Sequence, residues 1–207
     1  MQQSEHNPAV LAVANLREYF HDELQGALAR QNVAVADQTE HYVVNLLTLF
    51  ARSEQLFERT PDGVRLKPLV QMLSEALEAP NAQERERGLQ RLGDVSLFIA
   101  GFFAHSFARK LIDIDYHVAM GGRAYGTLAQ GLARGRRRVL SEVFGELAIK
   151  FVPLVDALGD IADSARQYTQ ADILRLYEIW LKTGSARARA LLRALGVEAT
   201  PVALRAN

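Results

Sequence analysis

Apolar residues recur at three- and four-residue steps along almost the whole chain, which is the helical period. Asn7 before Pro8 opens a first helix over 8–31, with Val13, Leu16, Phe20, Leu24, Ala27 and Leu28 on one face. Asp37 and Glu40 stand as N-cap and N3 of a capping box. The second helix they open turns Val43, Leu46, Leu47, Phe50, Leu56 and Phe57 inward, until Thr60-Pro61-Asp62-Gly63 ends it in a turn. A third helix over 68–79 buries Leu69, Val70, Leu73 and Leu77, and Pro80 stops it. Asn81 and Glu84 make a second capping box, and nowhere does a proper strand pattern emerge.

The helix after Asn81 enters from solvent through Glu84, Arg85, Glu86, Arg87 and Arg91, then becomes the most apolar run of the chain, Leu97-Phe98-Ile99-Ala100-Gly101-Phe102-Phe103-Ala104. A break is expected near 111–115, where Asp113 or Asp115 can cap and Ile112-Asp113-Ile114-Asp115 alternates. A helix over 116–133 follows with a stripe of small residues, Ala119, Gly122, Gly126, Ala129 and Ala133. Glycine costs about 1 kcal/mol in a helix relative to alanine, so this stripe implies a neighbouring backbone at close range. A long helix over 136–165 is kinked or restarted by Pro153. Thr169 and Asp172 open another to 182, Ser185 caps a last one over 186–195, and Gly196 ends it. The resulting expectation is an all-α, single-domain bundle of about seven helices over 1–196, built on a central apolar helix at about 82–111, with a mobile tail over 197–207.

Composition narrows the chemistry. The 207 residues contain no cysteine, which removes disulfides, thiolate metal sites and cysteine nucleophiles. Lysine plus arginine, 24, balance aspartate plus glutamate, 24, so the overall basic excess of a dedicated nucleic-acid binder is missing. No secretory leader pattern opens the chain and no apolar run approaches a membrane span, so a cytoplasmic location and no membrane partner are expected. There is no Gly-x-Ser-x-Gly elbow, no Gly-x-x-x-x-Gly-Lys phosphate loop and no His-Glu-x-x-His zinc motif.

Three groups of residues carry what chemistry remains. His105, Arg109, Asp113 and His117 stand four residues apart beside a phenylalanine cluster. With Phe102 and Tyr125 they define a candidate small-molecule pocket, in which an aspartate can orient a histidine or share a metal with it. Alternatively the ladder is a row of ordinary helix ion pairs. The pattern specifies no metal and no cofactor. Ala119, Gly122, Gly126 and Ala129 form a candidate homodimer seam. Arg187, Arg189 and Arg193 follow a glycine-containing turn after the helix bearing Tyr177 and Trp180, as in a helix-turn-helix reader, although the missing basic excess speaks against nucleic acid.

Charge also alternates along the chain. Residues 104–138 hold seven basic and two acidic side chains, 139–172 two and six, and 173–207 six and two. The leading functional expectation is a non-catalytic cytoplasmic regulator or adaptor acting through protein contacts, as a homodimer or with another protein. A helical bundle binding a small molecule or metal near His105, Asp113 and His117 is the alternative, and a DNA-binding regulator the second.

Overall fold

The computed structural model describes residues 8–51, 56–60, 63–103, 114–133, 137–163 and 170–197. Among them nine helices form: α1 (Pro8–Arg30), α2 (Asp37–Phe50), α3 (Leu69–Glu78), α4 (Ala82–Phe102), α5 (Ile114–Ala133), α6 (Arg138–Ile149), α7 (Phe151–Asp163), α8 (Gln170–Thr183) and α9 (Ala186–Ala194). The secondary structure of the described residues is otherwise one short hairpin, β1 (Glu58–Thr60) antiparallel to β2 (Gly63–Arg65). That hairpin was not expected from the sequence. Thr60 pairs with Gly63, which has φ 119°, and α2 already ends at Phe50.

α4 lies at the centre, against α2, α3, α5 and α7. Its N-terminus carries the expected Asn81 cap, Oδ1 accepting from the Glu84 amide at 2.9 Å, while the Glu84 carboxylate accepts from Asn81 Nδ2 at 2.9 Å, a side-chain bond where a capping box uses the backbone amide. Val95, Leu97, Ile99 and Ala100 are buried in one core cluster that takes in residues from α1 to α9. α4 leaves the helical conformation at Phe103 (φ −114°, ψ 11°), so the central helix is shorter than the expected 82–111. The expected break at 111–115 falls largely outside the described residues.

Three other departures have clear causes. The second helix is capped from a distance and not by its own Asp37: Ala36 is the N-cap, and its amide donates to both carboxylate oxygens of Glu146 on α6, at 3.2 and 3.0 Å. Lys150 completes this staple by donating to the Ala34 carbonyl and to Glu146, each at 2.6 Å. On α3 the buried face is Leu69, Met72 and Ala76, whereas Val70 and Leu77, expected inside, are 63% and 54% exposed. The 136–165 helix is divided at Lys150 (φ −99°, ψ 22°), which leaves Pro153 in the first turn of α7, where its missing N–H costs no helical hydrogen bond. At the other end of the chain the expected stop at Gly196 is in place. Gly196 has φ 81°, and Val197 N donates to Leu192 O at 2.8 Å in a Schellman closure.

Candidate functional site

The polar centre of the bundle is Asp94, on the half of α4 that turns from solvent into the core. Tyr42 of α2 and Tyr125 of α5 both donate their hydroxyls to Asp94 Oδ1, at 2.6 and 2.7 Å, and Gln90, one turn earlier on α4, donates to the Tyr42 oxygen at 3.0 Å. Three helices are thereby tied through one carboxylate oxygen. Tyr125 is fully buried, and its ring lies flat along the α4 backbone because residue 93 is glycine: a Cβ there would stand 2.5 Å from Tyr125 Cε1. Phe144 of α6 braces both rings, edge-on to Tyr42 at 5.4 Å and stacked on Tyr125 at 5.7 Å.

Burial pushes the Asp94 carboxyl up to about 6, against the opposite pull of the two tyrosine hydroxyls and the Arg91 guanidinium. The same burial, with Asp94 beside them, raises both tyrosine hydroxyls, so they remain protonated donors. Arg91 also places its guanidinium 4.9 Å from the centroid of the Phe50 ring. The arrangement joins a titratable carboxylate in a low-dielectric setting to hydroxyls that cannot leave it without an unpaired buried group.

A cavity of about 270 Å³ opens over this network, with Tyr42 and Gln90 on its floor and Leu128, Leu132, Leu140 and Phe144 along its apolar wall. Its rim is charged: Arg137 pairs with Glu86 at 2.5 Å, and Arg87 stands exposed beside them. Two larger grooves lie elsewhere, one between α3 and α4 and one between α6 and the start of α2, and neither is floored by the tyrosine–aspartate network.

The residues singled out in the sequence distribute differently. His105, Arg109 and Asp113 lie outside the described residues. Phe102 is half-buried and stacks on Phe98 at 4.9 Å. His117 is buried, and desolvation holds its imidazole down at about 4, so it is neutral at physiological pH. Tyr125 shares α5 with His117 but takes part in the Asp94 network. Among the described residues, no group of three His, Asp or Glu side chains is placed to hold a metal ion.

The small-residue stripe does meet a close neighbour, and it is α6 of the same chain. Gly126 faces Ala148, Gly145 faces Ala129, and Ser141 Oγ donates to the Ala129 carbonyl at 2.8 Å. Gly122 and Ala129 are likewise turned toward this helix pair, while Ala119 is exposed. Within the chain, the close neighbour that the stripe implies is therefore α6.

Arg187, the first of the three C-terminal arginines, is engaged within the chain. Its side chain is 9% exposed and its Nε donates to Asp160 at 2.5 Å, over Gly159. Asp156 next to it is buried and accepts from Ser185 Oγ at 2.5 Å and from the Arg187 amide at 3.1 Å, while Ser185 caps α9 by accepting from Ala188 N at 3.0 Å. Asp160 further accepts from Gln31, in the turn that follows α1, at 3.0 Å. Arg189 and Arg193 are exposed. Here the alternating charge blocks are neighbours in space, with acidic α7 under basic α9.

Sequence reading missed Asp94 and Tyr42. The available signal was an aspartate between Leu92 and Val95, one turn after Gln90, where the helix turns apolar. Fold and site together define a helical bundle with a Tyr–Asp–Tyr network beneath a small cavity. No protein family, no curated protein and no solved structure matches the chain. No helix among the described residues is long and apolar enough to cross a membrane.

Proposed function

We propose that this chain is a non-catalytic, cytoplasmic helical regulator that binds a small molecule in the cavity over the Tyr42–Asp94–Tyr125 network. The observation that carries the reading is the coincidence of an apolar-walled cavity with a polar floor backed by a raised carboxyl. Convergent polar groups in an apolar concavity fix a ligand's orientation, and perturbed titratable groups collect at such sites. Because the cavity is lined from α2, α4, α5 and α6, a bound molecule touches contacts that set these helices against one another. Thermal unfolding of the full chain, followed against a panel of small acids, amines, sugars and nucleosides, tests it. At least one class is expected to raise the midpoint by several degrees in the wild type and not in Leu140→Trp, which fills the cavity. A flat panel overturns the reading.

A second reading, an adaptor working through protein contacts, is favoured by one observation. Val70 and Leu77 project from one side of α3 with no cover in the monomer. Changing both to glutamate leaves the buried face of α3 intact. It is expected to abolish any partner retained in cross-linking from native extract, and unchanged retention would remove this reading.

A further inference from the structure

We infer that the ligand of this cavity is a small carboxylate with an apolar body, its head group at Arg87. The inference rests on the small-molecule reading above and adds the chemical class. At about 270 Å³ the space falls just under the roughly 300–1,000 Å³ of pockets that hold drug-sized molecules, so it suits a single ring or a short branched chain. The wall formed by Leu128, Leu132, Leu140 and Phe144 recognises that body by burial alone.

The rim decides the sign of the head group. Of its three charged side chains, Glu86 and Arg137 neutralise each other. Among the described residues no carboxylate pairs with Arg87, which leaves one cation at the mouth. α6 reinforces it: its first turn, which contributes Leu140 to the wall, holds no acidic residue, and its N-cap Arg137 makes no side-chain cap hydrogen bond among the described residues. A planar guanidinium matches the two oxygens of a carboxylate in a way it does not match an amide or an amine. On the floor, Tyr42 already spends its proton on Asp94 and accepts from Gln90, so it has no proton left for an anionic head group. The anionic group therefore belongs at the rim and the apolar part inside, away from the Asp94 charge.

Three probes of one shape separate the possibilities: 3-phenylpropanoate, 3-phenylpropanamide and 3-phenylpropylamine, titrated calorimetrically into the full chain at pH 7.5. The acid is expected to bind about two- to fivefold more tightly than the amide, the size of one contact with a solvent-exposed guanidinium. That gap is expected to close in Arg87→Gln, where the amide's own affinity stays the same. Leu140 is 41% exposed, so Leu140→Trp is expected to fold, checked by circular dichroism, and to lose the acid and the amide alike. If the amide or the amine binds as well as the acid, or if Arg87→Gln preserves the gap, the carboxylate assignment is wrong while the cavity reading survives. If no probe binds at all, the carboxylate assignment falls, and the wider thermal-unfolding panel decides the cavity reading separately.

Discussion

A Cβ on residue 93 would stand 2.5 Å from Tyr125 Cε1, so the Tyr125 ring rests directly on the α4 backbone at Gly93. This contact brings the Tyr125 hydroxyl to Asp94, the next residue on α4. Gly93→Ala gains about 0.5–1 kcal/mol of helix propensity but overpacks a filled core, which typically costs 1–3 kcal/mol. The net expectation is a loss of roughly 1–2 kcal/mol, seen as a lower urea midpoint at unchanged slope. An unchanged or raised midpoint would show that Tyr125 can move aside freely.

Asp94 makes the stability of the chain pH-dependent in a definite direction. Its folded carboxyl titrates near 6 and an unperturbed one near 3.8, so between those values the native state holds a proton that the unfolded state has released. This contribution is fully present below about pH 3.8 and is lost as pH rises through 6. The groups facing it are Tyr42 from α2, Tyr125 from α5, and Gln90 and Arg91 from α4. Asp94→Asn removes the proton. The stability of wild type relative to this variant is therefore expected to fall by on the order of 1 kcal/mol from pH 5 to pH 8. Parallel pH profiles for the two proteins would contradict the assignment.

Two glycines of α5 are expected to respond in opposite ways. A Cβ at Gly126 would meet Ala148 Cβ at 3.8 Å, an ordinary contact, so Gly126→Ala should gain about 0.5–1 kcal/mol. At Gly121 a Cβ would overlap Phe151 and stand 2.7 Å from Ser96 Cβ, so Gly121→Ala should lose about 1–3 kcal/mol. Gly126→Leu exceeds the space and is expected to lower the melting temperature by weakening the α5–α6 pair, with no change in mass by light scattering. A mass change without destabilisation would place the seam between copies.

Asp156 anchors α9 from below. Asp156→Ala leaves Ser185 Oγ and the Arg187 amide without their acceptor, at a cost of about 1–3 kcal/mol for each buried group stranded. Faster amide hydrogen exchange should appear first at Arg187 and Ala188, with α4 and α5 still protected. Uniform acceleration through the chain would mean that α9 does not open separately.

The sequence by itself determined that the chain is helical, and most helix ends followed from local chemistry. Asn81, Ser185 and Gly196 act within a few residues of themselves, so their roles are written in the order of the chain. The periodic leucines, valines and phenylalanines named the cores of α1 and α2, because a 3.6-residue repeat leaves one face to bury. The small-residue stripe announced a close neighbour but could not say which. Only the tertiary structure decided that it is α6, just as it decided that Glu146 caps α2, that Arg187 is held by Asp160 and that Val70 faces outward. The site belongs to this second kind. Tyr42, Asp94 and Tyr125 are separated by 52 and 31 positions and meet at one oxygen atom. No local spacing encodes that meeting, because it depends on how three helices are rotated about their axes when their apolar faces are packed together.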